Sequence, residues 1–287
     1  MIIDGKKIAE ELRDKIKGDI KKISDKKKPG LAVILIGEHP ASQIYVRNKE
    51  KFANEVGINS SVLRFDENIS EEDLKNEIKK LNNNSNVHGI LVQLPLPKHI
   101  NQKDIIQTID PTKDVDGFHP VNLGRLVQGR SDGMVPCTPA GVMEMLRWAE
   151  VDLTGKKAVV LGRSFNVGMP QALLLAARGV DATVTVVHSR TKDAKSECLQ
   201  ADVIVAAVGR PEMIQPDWVK KGAIVVDVGI NRIEDSSRQR GWRLAGDVHP
   251  DVALHASLLS PVPGGVGPMT VAMLMANTVT ATERLGS

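Results

Sequence analysis

The sequence has little of what several protein classes require. Its two cysteines, Cys137 and Cys198, lie far apart and outside any Cys-x-x-Cys or Cys/His cluster. This spacing argues against a disulfide framework and a structural zinc site, and it indicates a reducing compartment. No apolar run approaches the roughly 18 residues that a membrane helix needs, and the start, Met-Ile-Ile-Asp-Gly-Lys, shows no cleavable apolar segment. We therefore expect a cytoplasmic protein with no membrane partner.

The sequence also has little excess of charge of either sign. The formal net charge is +3, which is too small for a nucleic-acid-binding surface, and the basic residues form no evident stripe. The densest basic run, Lys26–Lys28, precedes Pro29-Gly30 and predicts a solvated helix end. Hydrophobic residues make up 41% of the 287, as in an ordinary globular protein, and the length allows two domains.

Alternating strand-like and helical patterns predict two α/β domains with mainly parallel sheets. In the first half, the apolar runs 31–36 and 89–93 are typical of strands covered on both faces, and helical patterns cover 42–56 and 70–81. The second series has strands expected at 157–161, 182–187, 202–207, 223–228 and 242–246, and helices at 168–178 and 191–198. Residues 111–137 read as functional loops. Thr138-Pro139 predicts a helix cap and first turn, and a last helix over 269–284 is expected to return to the first domain.

The loop from Gly162 to Gly168 has the features of a nucleotide-binding turn, although it lacks the Gly-x-Gly-x-x-Gly pattern. Gly162 permits a tight turn, and Gly168 opens a helix whose N–H groups can face a phosphate. The next strand ends in His-Ser-Arg-Thr without an acid for a ribose 2′-hydroxyl, so Arg190 with Arg163 predicts a 2′-phosphate and hence NADP. The alternatives are a strand-to-helix turn without a nucleotide and a solvated surface Arg190.

Tyr45 and Lys49 stand four residues apart, so a helix brings them to one face. An uncharged lysine amine can act as a base or proton shuttle, and Gln93, where a buried strand ends, is a suitable partner. The alternative is a Tyr45 packed in the core with Lys49 in solvent. Short-chain dehydrogenases share Tyr-x-x-x-Lys, but their dinucleotide loop precedes that pair, so we exclude them.

The acidic segment around Asp116 allows two interpretations. Asp114 and Asp116 are followed by glycine, which suits a simple loop cap; a metal site is not expected, because further ligands at usable spacing are missing. An ionised Asp116 could instead accept paired N–H donors from a flat heterocycle such as a 2-amino-4-oxo pyrimidine ring.

Taken together, these segments resemble the bifunctional methylenetetrahydrofolate dehydrogenase/cyclohydrolase family, in the family's order and over nearly the whole chain. The matching segments are Ala41–Lys49, Gly89–Pro97, Lys113–Pro120, Pro136–Pro139, Gly162–Ser164, Val226–Asn231 and Pro261–Thr270. The resemblance implies oxidation of 5,10-methylenetetrahydrofolate with NADP, followed by hydrolysis of the methenyl product to 10-formyltetrahydrofolate. It also implies homodimers that pair through the cofactor domains.

The resemblance assigns site residues as well. Lys49 would transfer protons, Tyr45 would assist and contact the substrate, Gln93 would tune the lysine and Asp116 would hold the pterin. The remaining assignments are Pro263 and Gly264 for the substrate, Arg163, Ser164, Ser189 and Arg190 for NADP phosphates, and Thr138 and Ile230 for the nicotinamide. The implied folate-binding catalytic domain comprises residues 1–138 plus 268–287, and the Rossmann-like NADP-binding domain comprises 139–267.

Departures from the family pattern and two rival functions stay open. Asn166 stands where a β-branched apolar residue is usual, and segments 192–200 and 233–243 fit no family pattern. A shikimate-type NADP-dependent dehydrogenase also has a substrate domain followed by a cofactor domain. A folate- or nucleotide-binding module without turnover is the rival from another class.

Overall fold

The computed structural model describes residues 1–23 and 28–286; Lys26 and Lys27 of the expected solvated helix end lie outside these ranges. The chain forms two compact units. The three-stranded unit comprises Glu10–Cys137 and Val271–Ser287, and the five-stranded unit comprises Met1–Ala9 and Thr138–Thr270. None of the helices found within 1–23 and 28–286 combines the length and apolarity that crossing a bilayer takes.

Helices and strands alternate along both halves of the chain. The helices are α1 (Gly5–Lys22), α2 (Pro40–Val56), α3 (Glu71–Asn82), α4 (Gln102–Thr108), α5 (Pro120–Val127), α6 (Cys137–Trp148), α7 (Gly168–Ala176), α8 (Ala194–Gln200) and α9 (Val266–Gly286). The strands are β1 (Gly30–Ile36), β2 (Asn59–Phe65), β3 (Gly89–Val92), β4 (Lys157–Leu161), β5 (Thr183–Val187), β6 (Val203–Ala206), β7 (Ile224–Asp227), β8 (Asn231–Glu234), β9 (Trp242–Ala245) and β10 (Leu258–Leu259). This confirms the predicted α/β class.

The three-stranded unit has the parallel order β2-β1-β3. Every residue of the central strand β1 is buried, because hydrophobic clusters cover both of its faces. Helix α3 follows the predicted pattern: the side chain of Ser70 accepts a hydrogen bond from the amide of Asp73, and Leu74, Ile78 and Leu81 are buried. Helix α2 ends at Gly57, whose left-handed conformation caps it. These elements carry α2 and the carboxyl end of β3 to one edge of the sheet.

The five-stranded unit has the parallel order β10-β7-β6-β4-β5. The first residues of the chain extend this sheet, since Ile3 N donates to Leu259 O at 3.0 Å and Leu259 N donates to Met1 O at 3.0 Å. This pairing explains why residues 1–9 belong to the five-stranded unit, whereas the sequence groups them with the first domain. Strands β8 and β9 form a separate antiparallel hairpin.

Some element boundaries differ from the prediction. Helix α5 lies inside the stretch 111–137 that reads as loops; His119 caps it by accepting from Val121 N at 3.1 Å, and Pro120 occupies its first turn. Helix α6 begins at Cys137, so Thr138 lies in its first turn and is not its cap. Strand β8 was not expected at all. Helix α5 has eight residues and strand β8 has four, so both are short.

Candidate active site

Lys49 is a buried lysine held by an amide. Helix α2 carries it, its side chain leaves the residue 7% exposed, and its Nζ donates to Gln93 Oε1 at 2.9 Å. Gln93 in turn donates from Nε2 to the Leu94 carbonyl at 2.8 Å, which fixes its oxygen toward the amine. The alternative in which Lys49 reaches into solvent is therefore wrong.

Tyr45 lies one turn before Lys49 on the same helix and is half-buried. Burial raises the pKa of its phenol, so the hydroxyl is protonated at neutral pH. Within the described part of the chain this hydroxyl makes no hydrogen bond. It is therefore a donor that remains available to a ligand.

Two charged residues that precede Asp116 stabilise the fold through hydrogen bonds of their side chains. Lys113 is buried and donates from Nζ to three carbonyls at the end of α3, those of Leu81, Asn82 and Asn84, at 3.2, 2.7 and 2.8 Å. Asp114 accepts from His119 N at 2.8 Å and from Asn122 Nδ2 at 2.9 Å. These bonds anchor the segment that runs beside β3, where Ile90 N donates to Lys113 O at 2.8 Å.

Asp116, in contrast, accepts no hydrogen bond from the residues that the structure describes. Burial raises the pKa of its carboxyl to about 6; the positive charge of Lys49 opposes this shift and the charge of Asp114 adds to it. A mostly apolar depression adjoins the carboxylate, lined by Ile90, Val92, Leu94, Ile106, Ile109, Asp114, Asp116 and Phe118. An unpaired carboxylate suits a flat ring with paired N–H donors.

The glycine loop of the five-stranded unit follows β4. Gly162 has φ +113°, and a Cβ added there would lie 2.2 Å from Ala207 O. A Cβ added at Gly168 would lie 2.2 Å from Gly162 O. Glycine is therefore required at both positions, because the loop packs directly against protein backbone there.

The first amides of α7 are already paired inside this loop. Gly168 N donates to Ser164 Oγ at 3.3 Å, and Met169 N donates to Ser164 O at 3.0 Å. Pro170 has no N–H. The expectation that these helix amides face a phosphate stays a prediction, and Gly168 lets the helix close onto its own loop.

Two arginines remain available near the ends of β4 and β5. Arg163, Ser164, Ser189 and Arg190 are all exposed, and neither arginine pairs with a carboxylate in the described ranges. The turn carrying Arg190 is ordered by its own bonds, from Arg190 N to His188 Nδ1 at 3.2 Å and from His188 N to Thr191 Oγ1 at 3.0 Å. Gly162 N also donates to Val187 O at 2.8 Å, which ties the glycine loop to this strand end.

Sequence reasoning missed a buried pair of carboxylates, Asp227 and Asp247. Asp227 accepts from the amides of Gly229, Asp247 and Val248 at 2.9, 2.9 and 3.0 Å, and burial raises its pKa to about 7. Asp247 accepts from the amides of Val208 and Gly209 at 2.7 and 3.0 Å and from Asn231 Nδ2 at 2.9 Å. The available signal was two acids at strand ends of the same unit: Asp227 is the last residue of β7, and Asp247 comes shortly after β9.

These bonds fix the loop that carries Ile230, which is 46% exposed between the two anchored residues Gly229 and Asn231. Thr138 is also in this unit, with its Oγ1 3.0 Å from Thr270 Oγ1. Both residues proposed to line the nicotinamide are thus held by neighbours.

Pro263 and Gly264 also belong to the five-stranded unit, not to the unit of Lys49, Gln93 and Asp116. Pro263 is exposed, and Gly264 is buried with φ +108°. The start of the chain holds this loop, because Lys6 N donates to Gly264 O at 3.1 Å. Among the described residues no group of histidine, cysteine, aspartate or glutamate side chains suits a metal ion.

A parallel sheet whose first strand leads into a glycine loop, with unpaired arginines beside it, is typical of a dinucleotide-binding domain. Joined to a second α/β unit with a buried amine, it defines the class of two-domain, dinucleotide-dependent α/β enzymes. Comparison with known proteins identifies the family within that class.

The catalytic domain of "Tetrahydrofolate dehydrogenase/cyclohydrolase" matches residues 3–116, and the NAD(P)-binding domain of that family matches residues 136–285. The chain therefore belongs to the tetrahydrofolate dehydrogenase/cyclohydrolase family. A curated relative, the bifunctional protein FolD of Pelagibacter ubique, is 52% identical over 287 residues, which is 99% of each chain.

Two solved structures agree with this membership. The bifunctional FolD of Campylobacter jejuni has a TM-score of 0.94 at 45% identity and covers 99% of each chain. The FolD of Trypanosoma brucei, solved with NADP cofactor and inhibitor, has a TM-score of 0.94 at 41% identity and covers 99% of this chain and 97% of its own.

These matches confirm the predicted fold class and the two activities, and the matched second domain is NAD(P)-binding. The protein is a bifunctional methylenetetrahydrofolate dehydrogenase and methenyltetrahydrofolate cyclohydrolase. The shikimate dehydrogenase of Thermus thermophilus shares the fold at 17% identity and a TM-score of 0.51. That likeness is one of architecture, so the shikimate-type alternative is not supported.

Proposed function

We propose that Lys49, Tyr45 and Gln93 carry out the cyclohydrolase step and that Asp116 holds the pterin. The folate-binding catalytic domain would then centre on the three-stranded unit, and the NADP-binding domain on the five-stranded unit. The observation that carries this proposal is the buried Lys49 amine held by Gln93 at 2.9 Å, with the unpaired carboxylate of Asp116 in the same unit.

The dehydrogenase step makes modest demands on side chains. NADP, when bound, accepts a hydride from the methylene carbon, which two nitrogen lone pairs already activate. The chain's task is orientation. An ionised Asp116 accepts two N–H groups from the pyrimidine edge of the pterin, and Pro263 and Gly264 contact the substrate from their loop. No side-chain base is needed in this step.

The hydrolysis step needs protons to move. Water adds to the methenyl carbon and loses a proton. N5 then takes up a proton and its bond to that carbon breaks, while the hydroxyl on the carbon loses its proton to become the formyl C=O, so 10-formyltetrahydrofolate forms with the net release of one proton. The Lys49 amine accepts and returns the proton, and Gln93 keeps it in place. The protonated Tyr45 hydroxyl donates a hydrogen bond to the substrate.

The choice of NADP over NAD is assigned to the two available arginines. Arg163 and Arg190 pair with the 2′-phosphate, and Ser164 and Ser189 donate hydroxyl hydrogen bonds to phosphate oxygens. The tight turn at Gly162 lets the dinucleotide approach the backbone, and Gly168 closes the loop. Thr138 and Ile230 line the nicotinamide. The absence of an acid after β5 supports the same choice.

We propose three further properties. The chain is proposed to form a homodimer through the cofactor domains, as the family resemblance implies, and a monomeric mass in sedimentation would refute this. A cytoplasmic location suits two free, buried cysteines, although an Arabidopsis thaliana relative at 48% identity is described as chloroplastic. We propose no membrane or nucleic-acid partner; vesicle and DNA pull-downs test that.

The proposal is tested with the variant Lys49→Ala, in which the dehydrogenase and cyclohydrolase reactions can be measured separately. Wild-type and variant protein are mixed with methylenetetrahydrofolate and NADP, and reduced cofactor and the methenyl chromophore are followed together. We expect NADPH to form at close to the wild-type rate while the methenyl compound accumulates, with hydrolysis slowed by at least about 100-fold. Lys51→Ala is the matched control, because Lys51 lies on the same helix with its side chain 77% exposed.

Two results would count against the proposal. Methenyl decay at the wild-type rate in Lys49→Ala would remove Lys49 from the hydrolysis. Equal use of NAD and NADP by the wild-type protein would remove Arg163 and Arg190 from 2′-phosphate recognition.

A further inference from the structure

We propose that Asn277 is a positioning residue for folate binding, which acts by fixing the peptide bond that presents Asp116. The inference rests on the proposed role of Asp116. It assigns a function to a side chain of the last helix, α9, that is distant in sequence from Lys49, Gln93 and Asp116.

The geometry converges on a single carbonyl oxygen. Asn277 donates from Nδ2 to Val115 O at 2.8 Å and to Val135 O at 3.0 Å. The thiol of Cys137 donates to the same Val115 oxygen at 3.2 Å. Burial raises the pKa of this thiol, so it stays protonated and remains a donor. The oxygen belongs to the peptide bond between Val115 and Asp116, so its direction sets the orientation of the Asp116 backbone.

The position of the Asp116 carboxylate depends on its backbone more than the side-chain positions of Lys113 and Asp114 do. This carboxylate accepts no hydrogen bond in the described part of the chain, whereas Lys113 and Asp114 are anchored by their side chains. The next residue, Gly117, packs directly against the segment that Asn277 also binds, since an added Cβ would lie 2.6 Å from Pro136 N. One amide group therefore joins the two loop segments that flank the unpaired carboxylate.

The alternative is that Asn277 merely supports the fold, as many half-buried amides do. That role predicts loss of stability without any selective change in folate binding. A positioning role predicts that the effect on folate affinity depends on the presence of the Asp116 carboxylate. The two can be separated by a double-mutant cycle.

The experiment uses Asn277→Leu, which has a similar volume and no donors, and Asn277→Ser as a milder second variant. Each is made in the wild-type and in the Asp116→Asn background. Thr278→Val is the matched control, because Thr278 is the next residue of α9 and its buried hydroxyl bonds only within the helix, to Leu274 O at 2.8 Å. Dissociation constants are measured for tetrahydrofolate by calorimetry and for NADPH by fluorescence, with thermal unfolding alongside.

We expect Asn277→Leu to weaken tetrahydrofolate binding about tenfold, Asn277→Ser to weaken it less, and Thr278→Val to leave it within twofold. NADPH binding should stay within twofold in all variants, which shows that the protein is folded. In the Asp116→Asn background, Asn277→Leu should cause little further loss. An equal loss in both backgrounds, or none in either, overturns the inference.

The design keeps failure of this inference apart from failure of the proposed function. If Asp116→Asn alone leaves tetrahydrofolate binding unchanged, the role of Asp116 is wrong and the inference falls with it. If Asp116→Asn weakens binding but neither Asn277 variant does, the role of Asp116 stands and that of Asn277 is wrong. Should Asn277→Leu fail to fold, the serine variant decides between these outcomes.

Discussion

At the scale of single residues, neighbouring charges in one loop have different tasks. The side chains of Lys113 and Asp114 form hydrogen bonds with other groups of the fold, whereas the Asp116 carboxylate accepts none from the described residues. The sequence motif pointed to Asp116 as a ligand-binding acid. It could not show that Lys113 caps the end of α3, because that contact joins residues about 30 positions apart.

The raised pKa of Asp116 gives the first residue-scale prediction, which concerns pH. Because burial raises this pKa to about 6, the carboxylate is ionised at pH 7 and mostly protonated at pH 5. A protonated carboxyl cannot accept two N–H groups, so tetrahydrofolate binding should weaken about tenfold between pH 7 and pH 5. Dissociation constants measured across this range, in the wild type and in Asp116→Asn, test it.

The same shift fixes the sign of a stability effect. A carboxyl whose pKa is higher in the folded than in the unfolded state disfavours ionisation in the folded protein. The resulting loss of stability is absent below pH 3.8, develops as pH rises from 3.8 to about 6 and is fully present above that. Asp116→Asn should therefore gain stability relative to the wild type above pH 6 in thermal unfolding. If the tetrahydrofolate affinity of Asp116→Asn fell between pH 7 and pH 5 as steeply as that of the wild type, the pH dependence of binding could not be assigned to Asp116.

At the scale of elements, the buried strands were predictable and the short elements were not. β1 and β4 appear in the sequence as continuous apolar runs because both of their faces are covered. β8 alternates half-buried and exposed residues over four positions, and α5 depends on a histidine cap, so neither has a periodic signal. The pairing of the first α7 amides with Ser164 was equally hidden, since the loop conformation decides it.

The two ends of β4 allow an element-scale prediction on the glycine loop. Gly155 precedes the strand and Gly162 follows it; both have positive φ, but a Cβ at Gly155 would meet nothing within 4 Å whereas one at Gly162 would lie 2.2 Å from Ala207 O. Alanine at either position should cost about 1–2 kcal/mol of backbone strain. Only Gly162→Ala should also weaken NADPH binding, by at least about tenfold, since the loop must move.

Urea unfolding and NADPH fluorescence titration measure the two effects side by side. Gly155→Ala measures the effect of backbone strain alone, and the difference between the two variants measures the effect of moving the glycine loop. Equal NADPH affinities in the two variants would show that the shape of the glycine loop is not what holds the dinucleotide.

At the scale of the whole molecule, sequence order could not show where the start of the chain pairs. The first strand-like residues pair with Leu259, some 256 positions away, and Lys6 reaches the loop of Gly264. Local patterns carry no information on such a pairing. Each unit's internal organisation was nevertheless predictable, because βαβ series follow each other in both halves and their strands are parallel.

The assignment of folate to one unit and NADP to the other gives a last prediction for the whole molecule. A ligand at 100 times its dissociation constant stabilises the state that binds it by about 2.7 kcal/mol, which shifts the unfolding midpoint by several degrees. Lys49→Ala should keep the shifts from both ligands. Gly162→Ala should lose most of the NADPH shift and retain the tetrahydrofolate shift, and Asp116→Asn should do the reverse. Differential scanning calorimetry on the three variants measures this pattern; a variant that stays folded and loses both shifts together would mean that the two ligands do not use the separate sets of residues assigned to them.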